Sequence, residues 1–251
     1  MADVFGAPGR RAVETRLPSL RAELEVDFCV VNGENAAAGR GITAKIADRL
    51  LASGADVVTL GNWTWGQPGF APYLSGTDRV LRPANLSPHT PGVGLAVHDG
   101  VAVINLLGVF SLTPFESPFL AADRLVEEAR LATPVVIVDF HAEATSEKVA
   151  LARYLDGRAT AVIGTHTHVQ TNDARVLPGA TATITDAGMT GPHDSVIGSE
   201  PEGAIKRFVT GMPVRLEPAS GDVRIEGAVV DCDGGGRATR CEALRVGVDA
   251  T

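Results

Sequence analysis

The run Ile163-Gly164-Thr165-His166-Thr167-His168 places two imidazoles two positions apart, just beyond the apolar, strand-like stretch Ala161-Val162-Ile163. Side chains two apart lie on the same side of an extended segment, and neutral imidazole is a common ligand for zinc, iron and related ions. Taken alone, such a pair fits two surface histidines as well as it fits a metal site. The arrangement recurs along the chain. Val26-Asp27-Phe28-Cys29-Val30-Val31 runs into Asn32-Gly33-Glu34-Asn35, Ala55 to Leu60 runs into Gly61-Asn62, and Pro134 to Phe140 runs directly into His141. At the start, Asp3 precedes Val4-Phe5-Gly6-Ala7-Pro8-Gly9. Oxygen and nitrogen ligands at successive strand ends converge on one edge of a sheet, the edge where open α/β sheets bind their ligands.

Helical patterns separate these strands. Arg10 to Glu25 carries Val13, Leu17, Leu20 and Leu24 at helix-compatible intervals, interrupted by Pro18. Thr43 is a good N-cap for a helix over Ala44 to Ser53, with Ile46, Leu50 and Leu51 on one face and Gly54 as its stop. Further helices are expected over Pro118 to Arg130, over Ser146 to Leu155 with a serine cap, and over Pro201 to Thr210. After Ala180 the pattern turns strand-rich, with Thr181 to Thr185, Val214 to Glu217 and Val223 to Val230 reading as an antiparallel return. Asp231 to Gly236 reads as a hairpin turn, and the tail, about 246–251, is expected to fray. No repeat or linker divides the chain, so residues 1–251 read as one α/β domain.

Composition narrows the function classes. A formal charge of −8 and a pI near 5.2 argue against wrapping nucleic acid, which needs a basic surface, while leaving room for a local phosphate pocket. No stretch approaches the roughly 20 apolar residues of a membrane span, and the N-terminus lacks a secretory pattern. Cys29, Cys232 and Cys241 show no finger-like spacing. A reducing, cytoplasmic location is expected.

The ordered set Asp3, Asn32-Gly33-Glu34-Asn35, Gly61-Asn62, Asp139-Phe140-His141-Ala142-Glu143-Ala144-Thr145-Ser146-Glu147-Lys148, Gly164-Thr165-His166-Thr167-His168 and Asp186-Ala187-Gly188-Met189-Thr190-Gly191-Pro192 resembles the YmdB-like branch of the calcineurin-like metallophosphoesterases over nearly the whole chain. The resemblance implies a four-layer α/β/β/α sandwich and hydrolysis of phosphodiesters, including 2′,3′-cyclic nucleotides, by a metal-bound hydroxide at a two-metal site. It implies two divalent ions per chain, iron, manganese or zinc. Glu34 would bridge them, Asp3 and His168 would hold the first, and Asn62, His141 and His166 the second, with Asn35 close by as a ligand or substrate contact. A carboxylate spans the roughly 3.5–4 Å between paired ions and offsets their repulsion. A homo-oligomer is compatible with the same signature.

Two departures from the family pattern stand out. The family's Gly-Asn-His places a general-acid histidine beside the metal-binding asparagine, but this chain has Gly61-Asn62-Trp63. An indole N–H does not exchange protons near neutral pH, so Trp63 is either an aromatic packed over the site or a platform for a nucleobase. Only Met1 and Ala2 precede Asp3, too few for an ordinary strand of about 5–6 residues. Either the true start lies upstream, the reading favoured here, or a central sheet position is partly empty.

Weaker candidates remain. His193, in Gly191-Pro192-His193-Asp194, could replace the missing acid or be a surface histidine, and Arg82 could meet a phosphate or be an ordinary surface arginine. His89 and His98 are expected in solvent. Glu147 and Lys148 fit a solvated helix face, with a structural or oligomer-contact role also open. Besides the phosphodiesterase, two other functions fit the same motifs: a metal-bearing regulatory or nucleotide-binding protein of little turnover, favoured by Trp63, and a phosphomonoesterase.

Overall fold

The structure is a computed structural model describing residues 1–248. In chain order its elements are α1 (Gly6–Glu23), β1 (Val30–Asn32), α2 (Ala44–Ala52), β2 (Val57–Thr59), α3 (Ala71–Ser75), β3 (Val80–Leu81), β4 (Leu95–His98), β5 (Val101–Leu107), α4 (Pro118–Ala132), β6 (Val135–His141) and α5 (Thr145–Tyr154). There follow β7 (Ala161–Thr165), β8 (Arg175–Val176), β9 (Ala182–Ile184), β10 (Gly191–Asp194), α6 (Pro201–Thr210), β11 (Gly221–Cys232) and β12 (Ala238–Gly247). None of these helices is long and apolar enough to cross a membrane.

One sheet has six strands in the order β4-β5-β6-β7-β9-β8, parallel through its centre and antiparallel at both margins. Opposite it lie a parallel sheet, β1-β2-β3, and an antiparallel one, β10-β11-β12. The N-terminal residues join these two into a single layer. Asn32 N–H donates to the Met1 carbonyl and Val4 N–H to the Asn32 carbonyl, while Ala2 N–H reaches Glu226 and Phe5 N–H reaches Thr190. The short start therefore does occupy a central position, as far as Met1. Helices α4 and α5 cover the outer face of the large sheet through Ala121, Leu125, Leu151 and Leu155, and α1 and α2 cover the other layer through Val13, Leu17, Ala47 and Leu50. The layers run helix, sheet, sheet, helix, as the resemblance implies.

Local chemistry explains most of the boundaries. Thr43 caps α2 by accepting the Ile46 N–H, and Pro201 opens α6, which closes on left-handed Gly211. Helix α1 begins at Gly6, earlier than Arg10, and runs through Pro18, whose ring lies on the exposed face. Helix α5 begins at Thr145 with no side-chain cap, so the expected serine cap is absent. Val214 to Glu217 forms no strand, because Pro213 and Pro218 flank it and only Pro218 makes a bridge, to Ser199. Of the predicted turn at Asp231 to Gly236, Asp231 and Cys232 belong to β11 and the turn itself spans 233–237 before β12, with Asp233 accepting the Arg237 N–H. Val246 and Gly247 are held in β12, contrary to the expected fraying, and the remainder of that tail after Val248 lies outside the described residues.

The close approach of β7 to Thr185 requires glycine at 164, where an added Cβ would lie 1.8 Å from the Thr185 carbonyl oxygen. Gly164→Ala is expected to lower stability by about 2 kcal/mol, within the range for overpacking a filled interior. Chemical denaturation checks this, and an unchanged midpoint would show that the strands do not approach so closely.

Candidate metal centre

Seven of the predicted side chains meet at the carboxyl ends of the central strands. Glu34 and Asn35 follow β1, Asn62 follows β2, His141 ends β6, His166 and His168 follow β7, and Asp3 lies on the segment that joins the layers. Asp3, Glu34 and His141 are fully buried. The Glu34 carboxylate is aimed by two backbone donors from the next strand end, Gly61 N–H at 2.6 Å and Trp63 N–H at 2.7 Å. Glycine is needed at 61, because an added Cβ would sit 2.2 Å from His141 Cδ2.

Acceptor atoms face one another here. The Thr165 hydroxyl donates to Asp139 Oδ1 at 2.8 Å, so toward His141 Nδ1, 3.0 Å away, it can only accept. Nδ1 therefore carries a proton. His141 Nε2 then points at Asn62 Oδ1 (3.1 Å), His166 Nδ1 (3.0 Å) and Glu34 Oε1 (3.5 Å). The second cluster repeats the pattern. His168 Nδ1 donates to the Ile197 carbonyl at 2.9 Å, and Nε2 faces Asn35 Oδ1 at 3.1 Å while the Asn35 amide donates to Gly39. Asp3 Oδ1 is buried without a hydrogen-bond partner among the described residues, 3.9 Å from both His141 Nδ1 and His168 Nε2. Lone pairs so arranged repel unless a positive centre, a proton or a cation, lies among them.

Electrostatics leads to the same conclusion. Burial pushes the Asp3 carboxyl up to about 6, against the pull of His168 and His141. Burial alone would lower His141, but the Glu34, Asp3 and Asp139 carboxylates outweigh it and lift this imidazole to about 9. Burial, joined by the charges of His141, His168 and Lys148, drops His166 to about 3 and keeps it neutral. Among the described residues no three His, Cys, Asp or Glu side chains form a ready-made cage; His141 and His166 touch each other instead. The donor set still suits cations. Mixed carboxylate, amide oxygen and imidazole ligands, with one carboxylate oxygen buried and unsatisfied, match transition ions better than calcium or magnesium. Three of the seven, Asp3, His166 and His168, hold φ of 22°, 104° and 65°, the kind of backbone strain that clusters where geometry serves a site.

The supporting shell was only partly visible in the sequence. Asp139 accepts hydrogen bonds from Asn32, Thr59 and Thr165, and so holds the floor beneath His141. The available signal was its type, an acid inside an apolar strand run. Glu147 and Lys148 are buried, not solvated. Lys148 Nζ pairs with Asp186 Oδ2 at 2.6 Å, and the same oxygen accepts from Thr167 N–H and hydroxyl, which fixes the loop carrying both histidines. Glu147 accepts the Val109 N–H.

Three weaker candidates resolve differently. Arg82 is buried, and its guanidinium donates to the carbonyls of Pro83, Pro91 and Thr90, so it is not free to meet a phosphate. His193 faces the Met189 carbonyl at 3.2 Å and Glu226 at 3.9 Å, neither of them in the cluster, so the structure does not place it as a substitute acid. Trp63 is 36% exposed, with the Arg40 guanidinium 4.2 Å from its ring centre. His89 is exposed, whereas His98 is partly covered and near Asp78.

A family model described as "YmdB-like protein" matches residues 1–244. The 2′,3′-cyclic-nucleotide 2′-phosphodiesterase of Bacillus subtilis is 49% identical over 237 residues, covering 93% of this chain and 90% of that protein. A hypothetical protein from Thermus thermophilus, of known crystal structure, is 41% identical with a TM-score of 0.90, over 98% of this chain and 97% of its own. A novel phosphatase from Mycoplasma pneumoniae is 33% identical with the same TM-score, over 98% and 91%.

Asp3 gives a test that separates stability from ion binding. Its folded pKa near 6 lies above the unfolded value of 3.8, so the metal-free fold binds this proton more tightly than the unfolded chain does. The associated stability is complete below about pH 4 and is lost as pH rises through 6, in all about 3 kcal/mol at 1.36 kcal/mol per unit. In chelated protein at pH 7, Asp3→Asn should be more stable than wild type by on the order of 1–3 kcal/mol, with the gap closing toward pH 4. Denaturant titrations across pH measure it, and a variant that is less stable at every pH would refute the burial argument.

Proposed function

The chain belongs to the YmdB-like family and has the fold of the calcineurin-like metallophosphoesterases, and we propose that it is a phosphoric ester hydrolase acting on small phosphodiesters such as 2′,3′-cyclic nucleotides. The observation that carries this reading is the convergence of imidazole nitrogens and carboxylate and amide oxygens at one buried sheet edge, where Asp3 Oδ1 is left without a hydrogen-bond partner among the described residues. The Bacillus subtilis relative, named for its action on 2′,3′-cyclic nucleotides, supports the substrate class. In this reading Asp3, Glu34 and His168 would hold one divalent ion and Glu34, Asn62, His141 and His166 a second, with Asn35 close by, its Oδ1 facing His168 Nε2. When bound, such ions supply charge neutralisation at the phosphoryl oxygens and activate water near neutral pH.

The chain's own residues do the positioning. Glu34 is locked by the Gly61 and Trp63 amides, so it holds its place between the two halves of the site. Asp139, acting through Thr165, keeps the His141 ring oriented with Nε2 inward. His166, kept neutral, offers a lone pair. The tryptophan at 63 leaves this frame intact, because the frame uses its backbone N–H. What it removes is a proton donor for the leaving oxygen, since indole does not act as an acid near neutrality. Its partly exposed ring offers stacking surface to a base, which fits a nucleotide substrate.

Purified protein loaded with manganese, assayed side by side on 2′,3′-cyclic AMP, bis-p-nitrophenyl phosphate and p-nitrophenyl phosphate, tests the assignment. Turnover of the diesters is expected, and turnover of none would favour the regulatory reading. Trp63→His should then raise the rate on 2′,3′-cyclic nucleotides by about 10²-fold, while changing aryl diester turnover little, because p-nitrophenolate leaves without protonation. Equal gains on both classes would mean that Trp63 acts by shaping the pocket.

A further inference from the structure

Helix α6 and the segment that follows it form an arm on the body of the protein. Of the ten residues of α6 only Ala204 is buried, and from Ile205 to Pro213 every residue is exposed. The root of the arm is tied down. Ser199 bridges to Val196 and to Pro218, Glu200 N–H donates to the Glu217 carbonyl, and Val214 and Leu216 of the returning segment lie close to Gly203. A helix this short is marginal in water by itself and in proteins owes its stability to the packing of an apolar face. In α6 that face is turned outward.

Phe208 and Val209 follow Ile205 by three and four positions, so the three share one side of the helix, and Met212 comes just past the left-handed Gly211. With exposures of 56% for Ile205, 83% for Phe208, 79% for Val209 and 64% for Met212, these side chains present on the order of 500 Å² of apolar surface, near the upper end of the largest patch on a typical monomer. Two such faces joined together bury roughly 1,000 Å², the lower limit for a specific interface. The charges beside the stripe select the occupant. Glu202 and Lys206 are both exposed and lie one turn apart on the same flank. Set antiparallel against a second copy, each helix brings its Glu202 toward the other's Lys206, whereas a parallel pair would bring like charges together. The face is therefore complementary to itself about a twofold axis. A helix that lies on a membrane needs a strongly basic polar face, but this one carries an acid on a chain of net charge −8.

We infer that α6 is a self-docking surface, through which two copies of the chain pair by antiparallel α6 helices with Ile205, Phe208 and Val209 buried between them. Pairing supplies the apolar packing that the helix lacks in a single copy and covers the largest exposed aromatic side chain of the arm, Phe208. The arm carries none of the candidate metal ligands, so this inference stands whether or not the proposed activity does.

Sedimentation velocity on the full chain, over a concentration series from low micromolar upward, tests it. A species of twice the 26.1 kDa chain mass is expected to form, and the α6 amides should exchange hydrogen more slowly in concentrated than in dilute protein. Phe208→Ser should raise the dissociation constant by about thirtyfold or more and leave the dilute protein folded, because the side chain is exposed in a single copy. Glu202→Lys and Lys206→Glu should each weaken pairing by about threefold, and the double variant should regain it. A wild type that stays monomeric throughout would overturn the proposal, as would a dimer indifferent to Phe208→Ser or a double variant no tighter than the singles. Vesicles of phosphatidylcholine with and without phosphatidylglycerol supply the remaining arm: a monomer whose α6 amides are protected only by the anionic vesicles would make this face a membrane contact and overturn self-docking.

Discussion

Two buried carboxylates, Asp3 and Glu34, facing histidine nitrogens and asparagine oxygens with too few protons to go round, are the constraint on which the rest of this structure depends. Burying an unpaired anion is costly, and a fold tolerates it only where something else offsets the cost. In the metal-free chain that role falls to a proton on His141 and to the raised pKa of Asp3. Both are stopgaps that a divalent cation would replace, with release of the protons.

The scaffold can be understood as the means of holding that arrangement against its own repulsion. Strands β1, β2, β6 and β7 all deliver their ends to one edge, and the buried Asp139 of β6 ties its strand to the other three through Asn32, Thr59 and Thr165. The loop after β7, strained at both histidines, is tied down by Asp186 and Lys148. Gly61 and Gly164 let the backbones approach closely enough for the ends to meet. A site made this way resides on strand ends and short loops, so its geometry is as stiff as the sheet beneath it.

Much of this was legible in the sequence, for identifiable reasons. Strand ends carrying Asn, Glu and His after apolar runs give both the sheet edge and the side chains that gather there, because the alternation of a strand fixes which way its last residues point. Thr43 and Pro201 announce their helices by local chemistry alone. What the sequence concealed is tertiary. Arg82, Glu147 and Lys148 have the composition of surface residues, and only the packing of α5 and the Pro-rich loop over them makes them internal. His193 sits beside a turn that leads toward Glu226, a direction no local pattern records. The Val214 to Glu217 stretch alternates like a strand but is closed off by prolines at both ends.

In the proposed reading Glu34 would bridge two ions at this edge. Electron paramagnetic resonance of the manganese-loaded protein addresses it directly, because two ions sharing a carboxylate at about 3.5–4 Å are magnetically coupled. The wild-type protein is expected to bind two manganese ions per chain and to show the spectrum of a coupled pair, and Glu34→Gln to show only isolated ions or none. One isolated ion per chain in the wild type, unchanged in Glu34→Gln, would contradict the account.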